Sequence, residues 1–315
     1  MPRDREIDVV VVGSTNFDLV VKAERLPQEG ESMVVHGLQF FSGGKGANQA
    51  VAIARMGAKA TFLSCVGQDM IGDFLIRDLE CGGIDTAWVK RNAQCSTGCA
   101  FVMLFPNGNN CITVDPAANL TLTPADVERA REVIERADAV ASVLEIPLDV
   151  IEAVFRMARQ AGTLTVLDAG PPRPCPPEIL RLADIVSPNE TELAQLAGGD
   201  VSGRASALEA AQTLCAQGVE TVVVKLGSDG SMLVTSHEAR HFPAYKIHAV
   251  DPTAAGDAFT AAFTVEYAGG AKIEDAIRFG NAAGAMAATR LGGRPSLPTR
   301  QEVEDFMARH GQISA

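Results

Sequence analysis

The stretch "IDVVVVG" (7–13) sets the architecture. Its run of valines leaves no polar face, and β-branched side chains suit a pleated strand better than a helix. A short run that is apolar all round and closed by glycine marks a strand buried on both sides. Such a strand needs helices above and below it. The rest of the chain supplies them. A helix-like stretch follows at "KGANQAVAIARMG" (45–57), with Ala50, Ile53, Ala54 and Gly57 along one side. Strand 60–67 and helix 70–83 come next. Strand 139–144, helix 148–161, strands 163–168 and 184–187, helices 189–197 and 204–217, and strand 220–226 continue the pattern. Helices at 256–268, 272–290 and 300–309 close it. This alternation predicts an α/β fold with a mainly parallel central sheet and helices on both faces.

Two stretches break the rhythm. Residues 17–41 hold short β-like pieces and no helix pattern, and "TGCAFVMLFPNGNNCITV" (97–114) places two β runs around Asn107-Gly108, a hairpin signal. Both follow early strands of a doubly wound order, beyond the strands' carboxyl ends, where such sheets bind ligands. A small β-sheet lid formed from about 17–41 and 97–114 is the expectation. With no repeat, low-complexity tract or linker, residues 1–315 read as one domain.

Composition narrows the function. Of 315 residues, 47% are hydrophobic, enough for a large core. The formal charge is −12, and no basic block or arginine stripe appears, so nucleic-acid binding is not expected. A polyanionic ligand would have to be held by backbone N–H groups and one or two local cations. The seven cysteines form no C-x-x-C pair, as expected of thiols in a reducing compartment. Residues 1–6 are polar, no apolar run approaches the ~20 residues of a membrane span, and a cytoplasmic protein without signal peptide is expected. The N-x-[ST] matches at Asn119 and Asn189 are then not expected to carry glycans.

Four clusters carry possible chemistry. In "GSTNFD" (13–18), Asn16 and Asp18 are two apart and face the same way in an extended segment, suiting vicinal hydroxyls; an ordinary Asx turn is the plain alternative. "FSGGKGANQA" (41–50) lacks the spacing of a nucleotide P-loop, and Gly46 stands where that motif needs a hydroxyl. Its glycines still allow backbone N–H groups and Lys45 to approach a polar ligand, with Asn48 in the first helical turn. In "SPNETE" (187–192), Asn189 and Glu192 form a variant capping box and are also suitable oxygen donors for Mg²⁺ and its waters. "KLGSDG" (225–230) ends a strand in a small-residue turn that could pass under an adenine or ribose.

The fourth cluster is "DPTAAGDAFT" (251–260). Asp257 alone reads equally as a helix cap or as a functional acid. Small residues before it leave the N–H groups of the following helix facing open space, a natural anion site. A carboxylate there would repel a phosphate unless it had a separate task. Taking a proton from an attacking hydroxyl is a task that fits.

These clusters, in this order, resemble the PfkB family of carbohydrate kinases and its ribokinase branch. "GGKGANQA" and "DPTAAGD" carry the resemblance, with "GSTNFD", "LEIP" (144–147), "SPNETE" and "RLGGRPS" (290–296), across about residues 7–309. The resemblance implies a ribokinase-like α/β/α sandwich, ATP with Mg²⁺, phosphorylation of D-ribose at O5, and a homodimer through the β lid. It implies that Asn16, Asp18, Gly43, Gly44, Lys45, Asn48 and Glu145 bind sugar. Asp257 is then the base, and Ala254, Ala255 and Gly256 build the anion hole. Asn189, the turn with Lys225, Gly227, Ser228 and Gly230, and Asn281 then contact nucleotide, while Glu192 acts on metal and phosphate. Asp251, Thr253, Ala287, Arg290, Gly292 and Ser296 stand where the family holds a monovalent cation, usually K⁺.

The chain departs from the family at four places. Pro252 replaces a usual Thr, "LDAGPPRP" (167–174) replaces an Asn-Pro-Ala-Pro pattern, "DPAAN" (115–119) replaces a small-residue stretch, and Phe17 is bulkier than is common. Phe17 either narrows the pocket or only packs. Kinases of deoxyribose, another pentose or hexose, or a nucleoside remain alternatives, as does a non-catalytic sugar-binding homologue.

Overall fold

The computed structural model describes residues 6–106 and 109–310. Among them, nine strands form one sheet, in the order Ala239–Phe242, Ser231–Thr235, Thr221–Lys225, Ile185–Ser187, Leu164–Asp168, Ala139–Val143, Asp8–Val12, Lys59–Gly67, Val89–Asn92. From Thr221–Lys225 to Val89–Asn92 the strands run parallel; the two at the opposite edge are antiparallel.

The valine run behaves as expected. Val9, Val10, Val11 and Val12 are fully buried, and their alternation divides them between two cores. Val10 and Val12 join Ile151, Phe155 and Leu214 on one face. Val9 and Val11 join Ala47, Ile53, Ala262 and Ala283 on the other. Each fully buried valine contributes about 1.5–3 kcal/mol. Asp8–Val12 lies between Lys59–Gly67 and Ala139–Val143, so the chain winds first to one side and later to the other. Sheets of this kind open a crevice at that reversal.

Several elements were not legible. The edge strands 231–235 and 239–242 and the short strand Val89–Asn92 lack a clean alternation, because only neighbouring strands make them strands. The helices Pro124–Arg129 and Arg131–Arg136 are six residues each, too short for a helical period to emerge.

The expected small sheet is present as four strands in the order His36–Gly43, Asn16–Lys22, Cys99–Leu104, Asn110–Asp115. Its central pair is parallel and its outer pairs antiparallel. The hairpin tip at Asn107-Gly108 lies outside the described residues. Phe17 stacks on Phe40 and meets Phe74 edge-on, at centroid distances of 5.4 and 5.7 Å. Strand alternation puts it on the face opposite Asn16 and Asp18, so it packs rather than narrowing their side. Among the described residues no helix is long and apolar enough to cross a membrane.

Candidate active site

The parallel strands deliver the site from one edge of the large sheet. Gly13–Asp18 continue Asp8–Val12, Glu145 follows Ala139–Val143, Asp168 ends Leu164–Asp168, Asn189 follows Ile185–Ser187, and Lys225 ends Thr221–Lys225. Against this edge two helices present their first turns: Lys45–Arg55 and Ala255–Ala268.

Asp257 stands in the first turn of Ala255–Ala268 and is buried. It is not the cap. The cap position belongs to Ala254, at φ 61°, and no side chain caps the helix. The Asp257 carboxylate instead accepts from Asn48 Nδ2 at 3.2 Å and Gln49 Nε2 at 3.4 Å, with Lys45 Nζ at 3.7 Å. All three partners lie on the first turns of the facing helix. The anion-hole expectation needs one correction: the Ala255 N–H turns back to the Pro252 carbonyl at 3.1 Å. Gly256 and Asp257 hold the next first-turn amides, which have no carbonyl one turn earlier within the helix.

Lys45 opens its helix behind Gly44, whose φ of 87° favours glycine. Burial works against its charge, but Asp257, Asp168, Glu192 and Glu145 together hold the ammonium above its ordinary range. The space beside it depends on Gly170: a Cβ there would lie 2.6 Å from Lys45 Nζ and 2.7 Å from Glu192 Oε1.

Beyond Lys45 lie the remaining polar groups assigned to sugar. Asp18 abuts Gly43, where any Cβ would collide with its carboxylate. Burial first, and then Glu145, push the Asp18 carboxyl up to about 7, with Arg294 opposing. Asn16 is buried, and its Oδ1 accepts from Asn119 Nδ2 at 2.8 Å. Glu145 has a task not foreseen. Its Oε2 accepts the Lys45 N–H at 3.0 Å and the Ser14 hydroxyl, so it anchors the start of helix Lys45–Arg55. Burial raises its pKa.

Asn189 and Glu192 form the reciprocal capping box, with bonds of 2.8 and 2.7 Å. That uses Glu192 Oε2 and leaves Oε1 facing Lys45 and Gly170. Burial, partly offset by Lys225, raises the Glu192 pKa. A bridge between Asn189 and Lys225 joins two strand ends. Gly227 and Ser228 form a tight turn closed by the Leu226 N–H to Gly230 carbonyl bond at 2.8 Å. Asn281 reaches this turn only through Phe242, whose carbonyl it bonds at 3.4 Å.

The positions expected around a monovalent cation come from two segments, 251–253 and 287–296, joined where the Gly292 N–H bonds Asp251. Asp251 Oδ1 accepts from the Thr253 N–H and hydroxyl at 2.9 and 2.6 Å, and Oδ2 from the Gly292 N–H at 2.8 Å. The Ala287 carbonyl accepts from the Arg290 N–H at 3.1 Å, and the Arg290 side chain turns away to Glu302. Ser296 bonds the Gly293 carbonyl at 2.7 Å. Among the described residues no group of three or more His, Cys, Asp and Glu is arranged to hold a metal ion.

Besides Gln49, which bonds Asp257, three residues were missed by reading the sequence. Asn119, inside the departing "DPAAN", is fully buried and bonds the Thr15 N–H, the Thr15 carbonyl and Asn16, which also removes it as a glycan acceptor. Arg294 is buried, paired with Asp78, and reaches the Gly43 carbonyl at 3.4 Å. Asp168 is fully buried and accepts from Lys225, Thr260 and Gly170. An acid at a strand's carboxyl end, in a segment already marked as a departure, was the available signal for Asp168.

Known proteins resemble this chain over nearly its whole length. It is 40% identical to the ribokinase of Staphylococcus aureus (strain COL), covering 94% of this chain and 98% of that protein. It is 31% identical to the deoxyribokinase of Salmonella typhimurium, covering 96% and 99%. The structure of Arabidopsis thaliana ribokinase complexed with ribose and ATP superposes with a TM-score of 0.89 at 34% identity, over 96% and 99% of the two chains. The model of the pfkB family carbohydrate kinases matches residues 6–300, and the chain belongs to that family.

Proposed function

We propose that the chain transfers the terminal phosphoryl group of ATP to O5 of D-ribose, giving ribose 5-phosphate and ADP. The observation that carries this reading is Asp257. It is a buried carboxylate in a helix's first turn, held by Asn48, Gln49 and Lys45 instead of capping the helix. In-line transfer needs an acceptor for the hydroxyl proton beside a group that holds the phosphoryl. Asp257 accepts the proton from O5. The first-turn amides of Gly256 and Asp257 hold the phosphoryl oxygens, aided by the helix dipole. Asn16 and Asp18 grip ring hydroxyls, with Asn48 and Lys45 between sugar and phosphate.

Asn189, Lys225, Gly227, Ser228 and Gly230 form the nucleotide side, with Asn281 behind them. The free Glu192 Oε1 suits Mg²⁺ or its waters, and Mg²⁺ usually binds through few protein oxygens plus phosphate. When bound, that ion neutralises phosphate charge. The Asp251 loop fits K⁺ by its donor set, one carboxylate with the carbonyls of neighbouring turns. The small sheet acts as a lid over the sugar. Leu38, Phe40, Phe101, Ile112 and Val114 are each about half exposed on it, which suits burial against a second copy.

A second reading, deoxyribose as acceptor, is favoured by the deoxyribokinase relative. ADP release over a panel of pentoses, hexoses and nucleosides separates the two. The highest kcat/KM with D-ribose is expected. A higher value with deoxyribose, a hexose or a nucleoside replaces the assignment.

A further inference from the structure

We propose that the buried Asp168–Lys225 ion pair works as a phosphoryl clamp, in which Lys225 contacts the group being transferred and Asp168 positions Lys225. The proposal rests on the kinase reading above. Asp168 Oδ2 accepts from Lys225 Nζ at 2.8 Å and from Thr260 Oγ1 at 2.9 Å, while Oδ1 accepts the Gly170 N–H at 3.0 Å. Thr260 sits three residues past Asp257 on the same helix. One fully buried carboxylate therefore ties the helix that carries Asp257 to the lysine from another strand end.

Lys225 Nζ lies 3.6 Å from the point where a Cβ on Gly256 would sit. Its ammonium is thus beside the first turn of Ala255–Ala268, where a phosphoryl group would rest. It has three N–H donors, and Asp168 takes one. Glu192 Oε2, at 3.9 Å, is beyond hydrogen-bond reach. The other donors remain for an incoming anion.

Two physical arguments favour this use over a purely structural pair. A buried ion pair generally adds little stability over apolar residues of similar volume, so its presence here needs another reason. The surrounding edge also carries Asp257, Glu192 and Glu145, and Lys45 lies nearest Asp257. Without Lys225, a polyanionic phosphate would meet mainly carboxylates. Pinning a long flexible side chain in advance lowers the reorganisation needed when charge develops. Burial works against charge on Asp168, but Lys225 and Lys45 hold its carboxyl below the usual range, so Asp168 stays an anion at neutral pH.

The test compares Lys225→Met with the double variant Asp168→Asn/Lys225→Met, which leaves no uncompensated buried carboxylate. Calorimetry with AMP-PNP and with ADP, each with Mg²⁺, reads binding, and single-turnover transfer reads chemistry. Both variants are expected to bind AMP-PNP about 10-fold or more weakly but ADP within about threefold of wild type, as for a lost charged contact to the terminal phosphate. The double variant should regain the melting temperature while turnover stays roughly 10²-fold down. Recovery of turnover together with stability would overturn the proposal, and so would equal weakening of both nucleotides. A failed ribose assignment looks different: wild type would not phosphorylate ribose, yet Lys225 would still separate AMP-PNP from ADP.

Discussion

Asn48 Nδ2 donates to Asp257 Oδ2 at 3.2 Å, joining positions 209 residues apart. The contact exists because the helices Lys45–Arg55 and Ala255–Ala268 face each other through alanines. Ala47, Ala50, Ala258, Ala261 and Ala262 share one buried cluster, and such small side chains allow a close approach.

Because that bond aims the carboxylate away from the helix end, Asp257→Asn should spare the fold and stop the chemistry. We expect kcat to fall by roughly 10²–10⁴-fold, the usual worth of a positioned base. That is about 3–5 kcal/mol of barrier. Melting temperature and ribose affinity should change little. A folded variant with near wild-type kcat would remove Asp257 as the base.

Asp18 predicts a pH dependence on the sugar side. Its folded pKa is raised from 3.8 to about 7, so protonated Asp18 favours the fold. That contribution is full below the unfolded value and is lost as pH rises through about 7. Binding runs the other way, since the carboxylate is the better acceptor for sugar hydroxyls. KM for ribose should therefore drop between pH 6 and 8 by about tenfold, as expected for a group titrating near 7. Asp18→Asn should flatten the profile; an unchanged slope would place the titration elsewhere.

Asn119→Ala leaves the Thr15 N–H and Asn16 Oδ1 without their buried partner. Each unsatisfied group costs about 1–3 kcal/mol. A melting temperature lower by several degrees and a raised ribose KM are expected, with ATP affinity unchanged. A variant with wild-type KM would show that Asn16 does not need this support.

Turnover should rise several-fold in K⁺ over Na⁺, with the Asp251 loop as the responsive element. Asp251→Asn should abolish the difference. Equal rates in K⁺-free and K⁺-containing buffers would exclude that role for the loop.

Phe101 is half exposed on the small sheet. If second copies meet there, Phe101→Asp should weaken the dimer by about 2 kcal/mol or more, ~30-fold in Kd. Sedimentation of wild type and variant at micromolar concentration reads it. A wild type that stays monomeric would refute the lid dimer.

The sequence by itself determined the parallel part of the sheet and its main helical layers, and it marked most of the clusters that meet in the candidate site. Val9–Val12 had to be buried on both faces because they offer no polar side. "GGKGANQA" and "DPTAAGD" mark their candidate chemistry locally, since glycines and small residues before a helix start suit an anion site. Only the tertiary structure decided that Asp257 is not a cap, that Glu145 anchors the helix of Lys45, and that Asn119 and Asp168 belong to the site. Those roles depend on which strand ends become neighbours. A buried acid or amide must find partners, and Asp168 finds Lys225 at 57 residues' separation and Thr260 at 92. No local period or propensity records such a pairing, because its energy arises only when packing removes water from both groups at once.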